Sequence, residues 1–140
     1  MRRRVPCCRL LAALMLVAGL ASLADQEAVA AEKGFPYEQE LMLDVRPMRG
    51  SKRVPMMEIT RQGATVLEMW CNKVQAQLVV VEDTITILSG TRTEQQCDAE
   101  RMRADEDLLA ALLEVTNWRR ENDVLTLRGP KTLRFRTSTH

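Results

Sequence analysis

The side chains that could do chemistry in this chain of 140 residues are few and far apart. The single histidine is His140, the last residue, so no second histidine can orient a nucleophile as a catalytic triad requires. Two cysteines, Cys71 and Cys97, lie beyond the apolar N-terminal region. Two thiols without histidine are too few ligands for zinc. The sequence therefore predicts neither a hydrolytic triad nor a zinc centre.

Adjacent carboxylates occur in two places, and paired carboxylates can share general acid and general base roles. Glu82 and Asp83 separate two runs of alternating apolar residues, which is typical of a tight turn. Asp105, Glu106 and Asp107 precede the leucines of a predicted helix, where the helix dipole favours anions. We therefore interpret both groups as structural and predict that the protein is not an enzyme. An enzyme with an unrecognised site is an alternative.

The methionines suggest a second alternative, because thioethers are soft ligands that suit Cu(I). Met48, Met56, Met57 and Met69 fall within one predicted hairpin region. Met57 and Met69 take inward positions in the alternation, where flexible thioethers fill a core. We therefore predict no metal and no other cofactor, with copper binding as the alternative.

The first 30 residues have the anatomy of a secretory signal peptide. Arginines at positions 2, 3, 4 and 9 precede an apolar run at residues 10–24, and Ala28-Val29-Ala30 fits the small-x-small pattern before a cleavage point. The run is shorter than the roughly 20 apolar residues that a membrane-spanning helix needs. We predict cleavage after Ala30, and a periplasmic or secreted protein with no stable membrane span after cleavage.

The charge of the remaining chain bears on its partners. Loss of residues 1–30 lowers Lys plus Arg from 20 to 16 and Asp plus Glu from 19 to 17, which leaves a formal net charge near −1. This balance gives no electrostatic reason to expect nucleic-acid binding. We therefore predict no nucleic-acid partner.

Export would place Cys71 and Cys97 in an oxidising compartment, where two thiols usually pair. Their separation of 26 positions is unlike the Cys-x-x-Cys spacing of redox pairs. A structural disulfide is the favoured interpretation, and two free buried thiols or a reactive pair are the alternatives. The bridge would stabilise the domain by about 3–4 kcal/mol through restriction of the unfolded chain.

Alternation of apolar and polar residues predicts strands on both sides of one helix. Before the helix, the predicted inward positions are Leu41, Leu43, Val45, Met57, Ile59, Leu67, Met69, Cys71, Val74, Ala76, Leu78, Val80, Ile85 and Ile87. The helix is predicted from the spacing of Leu108, Leu109, Leu112 and Thr116, and it is expected to end at Asn117. After it, the predicted inward positions are Trp118, Leu125, Leu127, Leu133 and Phe135.

Several strands, one helix and three more strands describe an α+β domain. We therefore predict an antiparallel, strongly curved β-sheet with one main α-helix packed on it or inside it. One helix cannot cover both faces of a large sheet, so the sheet must curl around its inner face or leave one face to solvent.

Four arginines share the outward phase of the three closing strands: Arg119, Arg128, Arg134 and Arg136. Such a stripe is suited to docking an anionic envelope component or an acidic partner protein. The alternative is that these arginines belong to a solvated face near Glu121. Charges on such a face also protect edge strands from aggregation. From the sequence alone we favour the solvated face.

Several short motifs occur together in the chain. They are Trp70-Cys71-Asn72, Thr93 with Cys97, the leucines from 108 to 112 followed by Val115-Thr116-Asn117-Trp118, Leu125-Thr126-Leu127 and Leu133-Arg134-Phe135. Over residues 36–137 this pattern resembles the META (HslJ-like) domain, a small extracytoplasmic family. Two departures stand out: Trp70 takes the place of a preferred Gly, and residues 75–77 replace a Gly-and-aromatic pattern.

The resemblance implies an exported or membrane-tethered bacterial domain without catalytic residues to transfer. It implies loose links to heat stress, drug tolerance, motility or virulence. Cys71 and Asn72 are the positions that the motif transfers, and we expect both to be structural. We therefore predict a non-catalytic META-type domain, acting as an envelope stress-related or interaction module. Its expected partner is an envelope protein or an anionic envelope component.

Overall fold

The computed structural model describes residues 34–138, so the predicted signal peptide and His140 lie outside the described residues. The described elements are β1 (Glu40–Leu43), β2 (Met56–Ile59), β3 (Ala64–Glu68), β4 (Lys73–Val81), β5 (Thr84–Arg92), α1 (Ala99–Leu113), β6 (Asn117–Glu121), β7 (Val124–Arg128) and β8 (Leu133–Thr137). Each strand pairs antiparallel with the next one in the chain. The first and last strands also pair, at Leu41 with Thr137 and Leu43 with Phe135, which closes a barrel.

The predicted α+β fold is therefore wrong. The described part of the chain is a closed eight-stranded antiparallel barrel with one short helix, and no main helix packs on or inside an open sheet. Pairing of β1 with β8 satisfies the backbone groups that would otherwise form two free edges. Closure surrounds most of the inner face of the sheet with its own strands, and the helix adds Leu108 and Leu112 to the core.

The core lies inside this barrel, where inward side chains of neighbouring strands meet. Twelve strand residues there are at most 7% exposed: Leu41, Leu43, Met57, Ile59, Leu67, Val74, Leu78, Ile85, Ile87, Leu125, Leu127 and Phe135. The alternation predicted each of these positions correctly. It was wrong for Val45, which is 47% exposed because β1 ends at Leu43 and the chain leaves the sheet there.

Helix α1 begins at Ala99 and ends at Leu113, before the predicted end at Asn117. Asp98 is its N-cap, and the Asp98 Oδ1 atom accepts a hydrogen bond from the backbone N of Arg101 at 3.0 Å. Leu108 and Leu112 are buried and join the core, whereas Thr116 is exposed and lies beyond the helix end at Leu113. Within the described residues, no helix is long and apolar enough to cross a membrane.

The helix forms the connection between β5 and β6, and these two strands share the shortest seam of the barrel. Their register contains one residue pair, Thr84 with Asn117. Trp118 supports the seam, since its indole Nε1 donates a hydrogen bond to the carbonyl oxygen of Glu82 at 2.8 Å. The ring of Trp118 also meets Phe35 edge-on, with centroids 5.0 Å apart. The N-terminal lead-in is thereby attached to the barrel.

Candidate functional site

The two cysteines form the predicted disulfide, with Cα atoms 6.0 Å apart. Cys71 lies in the turn between β3 and β4, and Cys97 lies just before α1. Both side chains are partly exposed, so Cys71 is not the inward strand residue that the alternation predicted. The reason is that β3 already ends at Glu68. The bridge joins the β3–β4 turn to the start of the helix.

A buried carboxylate on α1 holds the same turn. Asp105 is 2% exposed, and it accepts hydrogen bonds from three consecutive backbone N–H groups of the turn. Its Oδ1 lies 2.8 Å from the N of Trp70 and 3.1 Å from the N of Cys71, and its Oδ2 lies 2.7 Å from the N of Asn72. Successive N–H groups of this kind form an anion-binding concavity, and here the anion belongs to the protein itself.

Asn72 extends this network towards the segment before the helix. The buried Asn72 side chain accepts two hydrogen bonds at Oδ1, from Oγ1 of Thr93 at 2.9 Å and from the N of Gln95 at 2.7 Å. The Thr93 hydroxyl in turn accepts a bond from the backbone N of Lys73 at 3.0 Å. We call Cys71, Asn72, Cys97 and Asp105 the cysteine clamp. The Asn72 and Asp105 side chains hydrogen-bond to nearby backbone and side-chain groups, so we interpret the clamp as structural.

The other acidic residues do not converge on a common point. Glu82 occupies the β4–β5 turn with a φ of 54°, which confirms the predicted turn. Asp105 is buried in the middle of α1, while Glu106 and Asp107 are exposed. The interpretation of residues 105–107 as a helix N-terminus was therefore wrong. In residues 34–138, no group of three His, Cys, Asp or Glu side chains is placed to hold a metal ion.

The methionines that suggested copper are also spread over the molecule. Met57 is buried and Met69 packs against the core, as predicted for core filler. Met56 neighbours Met57 in β2, and adjacent strand residues face opposite sides of a sheet. Met48 lies in the β1–β2 loop. The four thioethers therefore do not meet at one point.

The four arginines of the predicted docking surface are all exposed on the outer faces of β6, β7 and β8. Arg119 and Arg134 flank Thr126 in one row across the three strands. Arg136 lies two residues further along β8, and Arg128 lies at the end of β7. Strand pairing therefore brings the four arginines onto one face of the barrel, which we call the arginine face.

Three of these arginines have acidic neighbours. The Nη2 of Arg119 lies 2.8 Å from Glu121, while the Nε atoms of Arg134 and Arg136 lie 3.7 and 2.9 Å from Asp44. The hydrogen bond and the negative charge of Asp44 raise the pKa of Arg136 above its ordinary value. The three arginine side chains are 57–60% exposed, and exposed ion pairs of this kind are weak. Their guanidinium groups can therefore exchange these partners for another anion.

Arg128 differs from the other three. It forms no ion pair with any residue between 34 and 138. Its neighbour across the strands is Asn117, which carries no charge. Arg128 is thus the arginine of this face whose charge is least compensated.

Two grooves have volumes of about 770 and 660 Å³. The first lies beside Tyr37 and Gln77, and Arg61 is the charged side chain among its described lining residues. The second lies over Val66 and Leu88, with Glu58 as its charged lining residue. Neither groove brings together two charged side chains from the described part of the chain.

A family model described as the META domain matches residues 38–139. The chain belongs to the META domain family. This match confirms the resemblance that the short motifs indicated. The comparison with curated proteins gave no match.

This META domain is also similar to solved structures. A protein from Burkholderia xenovorans, solved by NMR, is 15% identical with a TM-score of 0.61, over 81% of this chain and 89% of that one. A second NMR structure is 14% identical with a TM-score of 0.58, over 76% of this chain and 92% of that one. A DUF4847 family protein from Bacteroides vulgatus is 10% identical with a TM-score of 0.47, over 59% of this chain and 57% of its own. At these identities the first two comparisons show a shared fold alone.

The META domain here departs from the family pattern at Trp70. Trp70 is not among the described residues with positive φ, so its backbone does not need the freedom of a glycine. Its backbone N binds Asp105, and its side chain stays partly exposed. The turn therefore does not require a glycine at this position.

Proposed function

We propose that this META domain is an exported, non-catalytic binding module that attaches to an anionic component of the bacterial envelope. Four exposed guanidinium groups on one face of the barrel, those of Arg119, Arg128, Arg134 and Arg136, are the observation that carries the proposal. Closure fixes the register of β6, β7 and β8, so the charges keep their spacing before a partner arrives. A preformed arrangement lowers the cost of ordering on binding.

The distribution of polar groups supports a binding role over catalysis. The chemistry of a catalytic site would require converging titratable side chains, and the cysteine clamp instead satisfies its polar groups internally. Exposed arginines suit phosphate and carboxylate groups, because the guanidinium can bind them in a bidentate way. An envelope stress-related setting is the biological context that the family suggests.

We infer that the protein is periplasmic or secreted. The first 30 residues support export, and a disulfide persists in an oxidising compartment. Expression of the full chain in a bacterium should therefore yield a protein outside the cytoplasm whose N-terminus, by mass spectrometry, is Ala31. A cytoplasmic protein that retains residues 1–30 and reduced cysteines would contradict this inference.

Charge reversal on the arginine face tests the binding role. The double substitution Arg128→Glu and Arg134→Glu is expected to abolish retention on heparin and anionic-lipid columns at low salt. Both changes replace a cation by an anion on one face, and the new carboxylate at position 134 would also repel Asp44, which now pairs with Arg134. Retention of the wild-type protein and of each variant is measured as the salt concentration at elution.

A matched control carries the same change of charge elsewhere. The substitutions Arg61→Glu and Lys73→Glu also reverse two exposed cations, and these pair with Glu38 and Glu68. These residues lie on the β2–β3 turn and on β4, away from the arginine face. The control should remain on the columns. Unchanged retention of the Arg128 and Arg134 variant would remove the proposed surface.

A further inference from the structure

The loop between β1 and β2 carries a second group of cations. Residues 44–55 include four basic side chains, Arg46, Arg49, Lys52 and Arg53, and one acidic side chain, Asp44. All four basic side chains are exposed. None of them forms an ion pair with another residue of the described range 34–138. We call residues 44–55 the basic loop.

The basic loop has a defined shape. At its base the N of Leu43 donates to the carbonyl oxygen of Pro55 at 2.8 Å. At its tip the N of Ser51 donates to the carbonyl oxygen of Met48 at 2.9 Å, and the Ser51 hydroxyl donates to the carbonyl oxygen of Arg53 at 2.9 Å. Gly50 takes the positive φ of 76° that this tight tip requires. The loop therefore presents its cations from an ordered backbone.

The loop is continuous with the last strand of the arginine face. The N of Asp44 donates to the carbonyl oxygen of Arg134 at 2.8 Å, and the Asp44 carboxylate lies between Arg134 and Arg136. Glu40 lines a groove of about 460 Å³ together with Lys52 and Arg53. Asp44, at the start of the loop, is thus already paired with two arginines. In the groove, the two cations Lys52 and Arg53 outnumber the one acid, Glu40.

The helix borders the loop on its other side. Met48 lines a shallow groove with Arg103, Glu100 and Asp107 of α1. This boundary has mixed charge, with one cation and two acids from α1. Exposed and half-buried apolar side chains lie among the cations: Val45 is 47% exposed, and Met48 and Val54 are half-buried.

We propose that the basic loop, together with Arg134 and Arg136, seats the domain on a bilayer surface rich in anionic phospholipid. The inference rests on the proposed function, since it names the anionic envelope component. Basic side chains with small apolar groups between them suit the headgroup region of such a bilayer. Residues 45–55 carry these four cations without an intervening acid, and such a cluster is attracted to the continuous negative charge of an anionic leaflet without a matched arrangement of partner side chains. A lipid surface therefore fits the loop better than an acidic protein does.

The test is co-sedimentation of the exported protein with vesicles of phosphatidylglycerol and phosphatidylcholine. Each basic side chain near an anionic surface strengthens binding about fivefold. The triple substitution Arg49→Gln, Lys52→Gln and Arg53→Gln should therefore weaken binding about a hundredfold. The matched control Arg61→Gln, Lys73→Gln and Arg92→Gln also removes two arginines and one lysine, and it should change binding by less than about threefold. Vesicles of phosphatidylcholine alone should bind none of these proteins, whether wild type or variant.

Several outcomes would overturn the inference. Equal losses in the two triple variants would show that net charge, and not the loop, drives binding. Loss of binding in a variant with Arg49→Lys and Arg53→Lys, which keeps both charges, would exclude a general electrostatic attraction to headgroups. Binding to polyglutamate through the loop without binding to vesicles would replace the lipid with an acidic polypeptide.

The lipid inference and the proposed function fail in different ways. If the Arg128 and Arg134 variant loses heparin retention while the loop variant keeps its vesicle binding, the loop assignment is wrong and the proposed function stands. If the exported wild-type protein binds neither heparin nor anionic vesicles, both are wrong.

Discussion

Replacement of Asp105 by alanine is expected to lower the free energy of unfolding by about 3–5 kcal/mol. The carboxylate is the acceptor for three backbone N–H groups of the β3–β4 turn, those of Trp70, Cys71 and Asn72. Alanine would leave these donors without a partner in a buried site, and each unpaired buried donor is costly. Urea denaturation of the oxidised protein, followed by far-ultraviolet circular dichroism, measures the loss.

Two further substitutions separate the role of Asp105 from a general effect of removing an acid from α1. Asp107→Ala removes an exposed carboxylate two positions along the helix and should change stability by less than about 0.5 kcal/mol. Asp105→Asn keeps one carbonyl acceptor but presents an amide N–H₂ group to backbone donors, so its stability should lie between those of wild type and Asp105→Ala. Equal stability of the two alanine variants would contradict the role assigned to Asp105.

The structural role of Asp105 was not predicted from the sequence, and the reason is physical. Asp105 belongs to an acidic run, which favours the interpretation as a helix N-terminus, and its hydrogen-bond partners lie 33–35 positions away. A local pattern cannot report so distant a contact. One signal was nevertheless present, since Asp105 shares the helical stripe of Leu108 and Leu112 at spacings of three and seven. A charged residue on the apolar face of a helix indicates a specific partner, because burial without one would be unfavourable.

The closed barrel was not predicted from the sequence, for a related reason. Alternation shows which side chains of a strand face inward, and it identified Leu125, Leu127 and Phe135 correctly. It does not show which strands are neighbours. Closure depends on the pairing of β1 with β8, at opposite ends of the described chain. The resemblance correctly indicated the family to which the chain belongs, but it did not indicate that the sheet closes into a barrel.

For the arginine face, the sequence likewise predicted the local feature, which is exposure, but not the contact with a residue distant in the chain. The outward phase of Arg134 and Arg136 followed from alternation, and both side chains are exposed. Their shared partner did not follow, since Asp44 lies 92 positions before Arg136. The basic loop was absent from the prediction because a loop has no periodicity to signal it. Its cations could have been noticed as a local excess of positive charge.

Removal of the Cys71–Cys97 disulfide is expected to lower the free energy of unfolding by about 3–4 kcal/mol. The bridge closes a loop across 26 positions that contains β4 and β5. In the folded protein this loop is already held by strand pairing, so the main effect of the bridge falls on the unfolded chain. Urea denaturation with and without reductant measures the difference, and the variant with Cys71→Ala and Cys97→Ala should match the reduced protein.

The same experiment shows in which state the disulfide acts. If the bridge restricts the unfolded chain, its removal lets that chain expose more surface, so the dependence of unfolding free energy on urea should become steeper as the midpoint falls. A lower midpoint with an unchanged slope would instead mean that the bridge mainly holds the β3–β4 turn in the folded state. In that case the losses from Asp105→Asn and from reduction should not be additive, because both changes would release the same three backbone N–H groups. Additive losses with a steeper slope would show that Asp105 stabilises the folded turn while the disulfide constrains the unfolded chain.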